Sequence, residues 1–481
     1  MKTNLKKLTA LLVAVAMMFA LAACGGKKGD DVVEETEYAE EELVDADGNP
    51  VSDNSGSTSD GKSSGKSDTT TKVYVADDNQ GAKLQPIGNP YGSIPSNVKG
   101  TTVKFATWID HTSNESTQVL KDFTAKTGIK VELVKVPQVG YMSKMTSMIA
   151  SGQAPDVFVD NYEFPVSLKI AQPVNSYVNL KDPVWSKAHI SYSTFNGKTY
   201  IVNGENVHWN FVNGIIYHKK TAEDNGITTP DDYLAEGKWN WSNLRQFMKD
   251  YSSIPGDYYG GLLKPEELAA SAGTGLVKYN NGKFSSGIGD SQLTEAIKKV
   301  ADINKNGYSM DSTLQKFFCD GTQALTLGSN WQFTKSAIAW ETLKPGSMGF
   351  VPLPAPDKGE AYAPQNTRGY GICKGSKNPE GAGYFLRYFL DAANYDNNVV
   401  YKDASVTVPM IEKVRSENAK RKKCLVVSEN CMNLVNSTLY NNIATELKGT
   451  DPSQIASVLS KKSGVCKNAA DKANDLVNKA K

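Results

Sequence analysis

The stretch Thr102–Trp108, TVKFATW, alternates apolar and β-favouring residues and begins the pattern that decides the fold. A segment with helical spacing follows and ends at Gly128, and the run Ile129–Val136, IKVELVKV, is a second strand. Helical spacing returns in Tyr141–Ala150, and Asp156–Val159 begins a third strand. Strands that alternate with helices in this way predict a βαβαβ unit, with a parallel sheet that is covered by helices on both faces.

The chain from Lys99 to Lys481 is long enough to form two hydrophobic cores of ordinary size. The proline-containing run Phe350–Pro356, FVPLPAP, is predicted to end the strand-rich part, and from Pro409 onward the signals are almost entirely helical. Further strands and helices are predicted at Asn213–His218, Trp241–Ser252, Asp290–Lys305, Gly369–Cys373 and Glu380–Leu390.

The N-terminus has the layout of a secretory signal, with basic residues, an apolar run and small residues in that order. The apolar run Leu8–Ala23 has sixteen residues, fewer than the roughly 20 that a membrane-spanning helix needs. Its end, Leu21-Ala22-Ala23-Cys24, resembles the lipobox of bacterial lipoproteins. We therefore expect residues 1–23 to be a lipoprotein signal peptide and Cys24 to carry the lipid anchor. The alternative is a soluble secreted protein with a cysteine at this position.

Residues 24–98 follow as an acidic, Ser- and Gly-rich stretch. Between residues 25 and 98 there are fifteen Asp or Glu and six Lys, whereas the whole chain has a formal net charge of +1. Large apolar residues are too sparse here to offset the entropy of ordering, so we predict a disordered tether with a root-mean-square span of about 45–50 Å. The remainder is mildly basic and contains no nucleic-acid-binding module, so no nucleic acid partner is expected.

Six short segments match, in order, motifs of one family. Together they make the chain resemble the extracellular solute-binding proteins of ABC sugar importers, the maltose-binding-protein-like group. Two departures are Asn203-Gly204, where the family usually has a proline, and His218, which replaces the usual Asn. The matching segments are Ser147–Asp156 (SMIASGQAPD), Asn196–Tyr200, Ile216–Lys219 with Asn225–Ile227, Trp239–Leu244, Asp320–Trp331 (DGTQALTLGSNW) and Gly371–Ala382.

The resemblance implies an α/β, two-lobed periplasmic-binding-protein-like fold of class II, with a ligand cleft between the lobes and a hinge that the chain crosses several times. The first lobe would comprise residues 99–212 with a return segment at 348–392. The second lobe would comprise residues 213–347 with a C-terminal helical segment at 393–481. Ligands would bind beyond the carboxyl ends of the strands, and the lobes would close around them.

The resemblance also implies a function. The chain would be the membrane-anchored binding component of an ABC importer, which captures a carbohydrate, an oligosaccharide being favoured, and delivers it to the permease subunits. It would be a monomer on the outer face of the cytoplasmic membrane of a Gram-positive bacterium. The alternatives are a surface glycan-degrading enzyme, a non-catalytic adhesin or wall-binding lipoprotein, and a binder of another solute such as a peptide.

Sugar sites need flat aromatic rings for C–H faces and planar polar groups for hydroxyls. The alternatives are core packing for the two tryptophans at strand ends, helix capping for the residues after the third strand, and a salt bridge or a hydroxyl contact for Arg368. Because arginine binds carboxylates bidentately, Arg368 also raises the hypothesis of an acidic sugar. The expected ligand-binding residues lie in loops at strand ends and at the crossings between lobes: Trp108, Asp110, Asp160, Asn161, Glu163, Asn206, His208, Trp209, Trp331, Asn366 and Arg368.

The motifs of several enzyme and metal classes are missing from the sequence. There is no G-x-S-x-G, no phosphate-binding glycine loop, no C-x-x-C and no H-E-x-x-H, so we expect neither catalysis, nor a cofactor, nor a metal site. Five cysteines remain beyond Cys24, and one disulfide among them is an open alternative to buried thiols. These are Cys319, Cys373, Cys424, Cys431 and Cys466.

Overall fold

The computed structural model describes residues 93–109, 114–205, 212–261, 263–309, 315–335, 337–365, 367–391 and 401–481. The expected signal peptide, Cys24 and nearly all of the tether lie outside these residues. Within them we number the strands in chain order: β1 Thr102–Thr107, β2 Lys130–Lys135, β3 Val157–Asp160, β4 Ala171–Gln172, β5 Thr194–Phe195, β6 Lys198–Thr199, β7 Asn213–His218, β8 Val277–Asn280, β9 Lys283–Ser286, β10 Leu325–Ser329, β11 Met348–Val351, β12 Tyr362–Gln365, β13 Gly369–Cys373 and β14 Lys422–Leu425.

The helices begin and end near the residues that the periodicity indicates. Two that open with side-chain caps are the helix after Asp290 and the helix after Asn378, whose side chains accept hydrogen bonds from backbone N–H groups of the first turn. In chain order the α-helices are α1 Asn114–Thr127, α2 Tyr141–Ala150, α3 Lys187–Ser193, α4 Lys219–Asp224, α5 Pro230–Ala235, α6 Trp241–Ser252, α7 Pro265–Ala270, α8 Ser291–Lys305, α9 Gln315–Cys319, α10 Pro379–Phe389, α11 Ala404–Ala419, α12 Ser428–Asn433, α13 Leu439–Gly449, α14 Ile455–Lys461 and α15 Ser463–Ala480.

The first sheet has five strands in the order β2-β1-β3-β13-β4. Strand β1 runs parallel to β2 and β3, which confirms the βαβαβ prediction, and β13 runs antiparallel to β3 and β4. A buried aromatic cluster joins β1 to α10, with the Phe105 ring 5.4 Å from Phe385 and 5.5 Å from Phe389. The return of the chain at β13 and α10 therefore completes the core of this sheet.

Asp156, the acidic residue of the APD motif, has a structural role. Its carboxylate accepts hydrogen bonds from the Lys104 backbone N–H at 2.8 Å, from the Ser376 hydroxyl at 2.6 Å and from the Asn378 backbone N–H at 3.0 Å. One side chain thus ties β1 to the segment before α10. Charge-assisted hydrogen bonds of this kind are among the stronger ones in a folded protein.

The second sheet has three antiparallel strands in the order β10-β7-β11. Strand β11 pairs with β7, with Met348 opposite His218, and so belongs to the second sheet. The segment predicted to return to the first lobe, residues 348–392, therefore begins too early. The chain re-enters the first sheet only at Gly369, because β12 also lies elsewhere and pairs with β14. The proline-containing run after Phe350 therefore begins inside the second sheet. Strand β14 likewise interrupts the end of the chain, which the sequence predicted as almost entirely helical.

Helices cover the second sheet and the two-stranded β8–β9 hairpin. Helix α6 buries Trp241, Leu244 and Phe247, and Leu293 and Ile297 of α8 belong to the same core. The cysteines Cys319, Cys373, Cys424, Cys431 and Cys466 are free thiols. Among the helices of the described residues, none combines the length and the apolar character that crossing a membrane requires.

Candidate functional site

Three predicted site segments meet at one edge of the first sheet. Strands β1 and β3 are parallel, so Trp108 and Asn161 follow their neighbouring carboxyl ends. Strand β13 is antiparallel to β3, with Gly369 opposite Asp160, so Arg368 enters at the same edge. Ligand sites of doubly wound sheets form at such carboxyl edges. We call this edge, with its three segments, the first-sheet rim.

Trp108 and Arg368 lie against each other on the first-sheet rim. The guanidinium carbon of Arg368 is 5.8 Å from the centroid of the Trp108 ring, within cation–π range. Trp108 is half-buried and also packs edge-to-face on Tyr141, with 5.0 Å between centroids, while Arg368 is 7% exposed. The indole is therefore held in place by neighbours on two sides and keeps part of its surface accessible.

The backbone that carries Arg368 is fixed by three side chains that the sequence did not single out as site residues. The carbonyl oxygen of Arg368 accepts hydrogen bonds from His189 Nε2 at 2.8 Å and from Asn203 Nδ2 at 3.0 Å. The Tyr192 hydroxyl donates to the carbonyl oxygen of Thr367 at 2.8 Å. Asn203 stands where the resembled family usually has a proline, and this departure was the one signal available in the sequence.

His189 is fully buried, and burial lowers the pKa of its imidazole from 6.5 to about 4. The ring is therefore neutral at physiological pH. Nε2 carries the proton because its partner is a carbonyl oxygen, which can only accept. Asn203 is also 0% exposed, and its Oδ1 accepts a hydrogen bond from the Gly204 N–H at 2.9 Å. Asn203 and Gly204, which stand where the family usually has a proline, thus form the segment by which the chain leaves the first sheet.

The turn after β3 contains Asp160, one of the predicted ligand residues. Asp160 is 0% exposed, and its Oδ1 accepts a hydrogen bond from the Glu163 backbone N–H at 2.8 Å. In this structure the Asp160 carboxylate is buried and binds the backbone of the turn, and its role as a ligand residue stays a prediction. Burial raises the pKa of its carboxyl well above the usual range. Asn161 and Glu163, in contrast, are half-buried.

Tyr162 lies between Asn161 and Glu163 and has a φ of 66°, in the left-handed region that residues with a side chain rarely adopt. Burial raises the pKa of its phenol, and the positive charge of Arg368 offsets part of that rise. Burial, followed by the negative charge of Glu429, raises the pKa of the Glu163 carboxyl. Nothing in the sequence distinguishes Tyr162, because residue type does not reveal that a tyrosine adopts the left-handed conformation.

Trp331 lies at one edge of the second sheet. Strand β10 ends where β7 begins, with Ser329 opposite Asn213, and continues into the 3-10 helix Asn330–Phe333. The Oδ1 atom of Asn330, which is 0% exposed, accepts a hydrogen bond from the Val212 N–H at 3.1 Å. Trp331 itself is half-buried and follows this anchored residue. It is thus positioned where the chain arrives from the first sheet.

Five of the predicted residues lie outside the described part of the chain: Asp110, Asn206, His208, Trp209 and Asn366. The described site residues offer aromatic surface, an amide, a carboxylate and a guanidinium. In the described ranges there is no group of three or more His, Cys, Asp or Glu side chains that could hold a metal ion. These groups can bind a ligand by stacking and hydrogen bonding.

Two sheets that each carry such groups at one edge, joined by chain crossings after Gly204 and before Gly369, define a two-lobed periplasmic-binding-protein-like fold. The chain belongs to the bacterial extracellular solute-binding proteins, since the sequence pattern of that family matches residues 118–423. Membership places it in an extracellular or periplasmic setting. We call the part built on the five-stranded sheet the first lobe and the part built on the three-stranded sheet the second lobe.

Known relatives agree with this assignment. The diacetylchitobiose binding protein DasA of Streptomyces coelicolor is 25% identical over 291 residues, which span 56% of this chain and 64% of that protein. The galacto-N-biose-/lacto-N-biose I-binding protein of the ABC transporter from Bifidobacterium longum shares 14% identity at a TM-score of 0.57, over 79% of this chain and 97% of that one. The substrate-binding protein Lmo0181 from Listeria monocytogenes, solved with cycloalternan, shares 16% identity at a TM-score of 0.54, over 79% and 98%.

Proposed function

We propose that this protein is the extracellular solute-binding component of an ABC importer and that it captures an oligosaccharide between its lobes. The observation that carries the proposal is the convergence of Trp108, Asn161 and Arg368 on the first-sheet rim, and Trp331 at the end of β10 in the second sheet adds a further aromatic ring. Aromatic rings on both lobes and planar polar groups suit the C–H faces and hydroxyls of sugars. The ligands of the three relatives, diacetylchitobiose, lacto-N-biose and cycloalternan, support the same ligand class.

The proposal includes binding without catalysis, delivery to permease subunits and action as a monomer. It also includes a lipid anchor on Cys24, which follows the sequence Leu21-Ala22-Ala23. We propose a first lobe of residues 99–212 with a return from Gly369 to about residue 392, and a second lobe that contains the remaining residues from 213 to 481. The support is the sheet to which each strand belongs.

The test is a titration of intrinsic tryptophan fluorescence, using protein that lacks residues 1–23 and carries Cys24→Ser. The panel is N,N′-diacetylchitobiose, lacto-N-biose, maltotetraose and galacturonic acid. We expect a saturable change with at least one sugar. Trp331→Phe should reduce that change, and the control Trp340→Phe should not, because Trp340 is 6% exposed and packs in a core cluster of the second lobe.

Other outcomes separate the alternatives. Silence across the sugars with a response to peptides would replace the ligand class. Products of sugar cleavage, found by mass spectrometry after long incubation, would show a glycan-degrading enzyme instead. Binding to polymer without a response to small sugars would indicate an adhesin. A response to galacturonic acid that Arg368→Ala abolishes would support the acidic-sugar hypothesis, and an unchanged affinity would remove it.

A further inference from the structure

The turn Asn161–Phe164 follows β3 on the first-sheet rim and carries two of the proposed ligand residues, Asn161 and Glu163. We call it the rim turn. Its backbone is also bound from the C-terminal helical segment: Asn430 Nδ2, on α12, donates hydrogen bonds to the carbonyl oxygens of Tyr162 and of Phe164, the latter at 2.9 Å. One amide group from a distant part of the chain therefore holds two peptide groups of the rim turn.

The conformation of Tyr162 matches this contact. Its φ of 66° is the left-handed conformation, which a tyrosine keeps only where its surroundings impose it. On one side Asp160 accepts the Glu163 N–H, and on the other Asn430 binds the Tyr162 carbonyl oxygen. The rim turn is thus fixed by one side chain from the first lobe and by one from the C-terminal segment.

The packing around Phe164 continues the same contact. Its ring lies 4.9 Å from Tyr192 of the first lobe and 5.6 Å from Tyr279 of the β8–β9 hairpin, centroid to centroid. The Tyr279 hydroxyl donates to the Tyr192 carbonyl oxygen at 2.5 Å. The rim turn therefore lies where the first lobe meets the hairpin and α12, so movement of these elements relative to the first lobe would act on it directly.

We infer that Asn430 is a positioning residue for the ligand site and couples the rim turn to closure of the lobes. With Asn430 bound, Tyr162 stays left-handed and Asn161 and Glu163 are presented to the cleft. When the lobes separate at this point, both carbonyl bonds are lost and the rim turn can relax. A ligand that binds Asn161 and Glu163 stabilises the bound rim turn and, with it, the closed lobes. This inference rests on the proposed function.

The test compares full-length protein with its Asn430→Ala and Asn474→Ala variants. Asn474 of α15 is a matched control, because its side chain also makes two backbone hydrogen bonds, to the N–H and carbonyl of Phe284 at 2.8 and 2.9 Å. Neither of these hydrogen bonds involves a residue of the rim turn. The first measurement is amide hydrogen exchange of the peptide that covers Glu163–Ser167, without ligand. The second is affinity for N,N′-diacetylchitobiose, lacto-N-biose and maltotetraose.

We expect Asn430→Ala to speed exchange in this peptide about tenfold and to weaken sugar affinity about tenfold, from the loss of two hydrogen bonds. Asn474→Ala should leave both within about twofold of the unaltered protein. Unchanged exchange in Asn430→Ala overturns the inference, as does faster exchange with unchanged affinity. If the unaltered protein binds none of the sugars, the proposed function fails, and the exchange result alone then decides whether Asn430 fixes the rim turn.

Discussion

On the first-sheet rim, buried polar side chains bind the backbone at Arg368 and in the turn that contains Asn161. On the second lobe, Trp331 lies in one short 3-10 helix that Asn330 anchors. The residues that fix the first edge are His189, Tyr192, Asn203 and Asp160. The backbone at Thr367 and Arg368 is therefore pre-organised, so a ligand that binds there loses little conformational entropy. We expect the second face, where a single short helix carries Trp331, to adapt more as the lobes close.

The largest expected effect concerns acid stability through His189. Its pKa falls from 6.5 to about 4 on folding, so its contribution is complete above pH 6.5 and is lost as the pH falls towards 4. The shift corresponds to about 3 kcal/mol of unfolding free energy. Urea unfolding at several pH values should show this loss in the unaltered protein and a shallower one in His189→Gln, whose amide can still donate to Arg368. Equal pH slopes in the two proteins would show that folding does not lower the pKa of His189.

Asn203→Ala should cost slightly less. The substitution leaves the Arg368 carbonyl with one donor fewer and the Gly204 N–H without its acceptor, for about 2 kcal/mol of unfolding free energy. Asn225→Ala is the control, since Asn225 is exposed and binds only its own helix end at Thr221, and it should stay within about 0.5 kcal/mol. The two urea midpoints give the comparison. Equal losses of unfolding free energy in the two variants would mean that Asn203 contributes no more to stability than an exposed asparagine.

The two tryptophans test the comparison at the level of binding. Trp331→Ala removes stacking surface from the adaptable face, and Trp108→Ala removes it from the fixed face. We expect each to weaken the affinity for the bound sugar about tenfold to a hundredfold, from lost aromatic contact and burial. Trp108→Ala should also lower stability, because Tyr141 and Arg368 lose their partner. Calorimetric titration and thermal unfolding separate the effects, and an unchanged affinity in both variants would place the sugar elsewhere.

The smallest effect is expected for Glu163→Gln. Burial and Glu429 raise the pKa of Glu163, so ionisation of this carboxyl destabilises the folded protein. Its favourable contribution is present below the unfolded pKa of 4.5 and is lost as the pH rises through the folded pKa. The glutamine variant should therefore gain up to about 1 kcal/mol at pH 7 and nothing at pH 4, measured by urea unfolding. A gain that does not depend on pH would contradict this assignment.

Periodicity predicted the strands and helices well, because it reports which residues face a core; β7, α2 and α6 have the predicted bounds. Pairing between distant strands was harder. Nothing local shows that Met348–Val351 pairs with Asn213–His218. The anchors of Arg368 were hidden for the same reason, since His189 is 179 residues away in the chain. Asp160 was placed in the correct turn, but whether its carboxylate points inward depends on tertiary packing.

Strand β13 lies between β3 and β4 in the first sheet, and the rings of Phe385 and Phe389 fill the core beneath β1. A chain emerging from N- to C-terminus thus cannot finish its first lobe until more than two hundred residues have followed β3. Until then, Phe105 and the edges of β3 and β4 remain uncovered. Long-range closure of this kind slows folding and prolongs exposure of apolar surface. The order of synthesis therefore requires the lobe that begins first to be completed late.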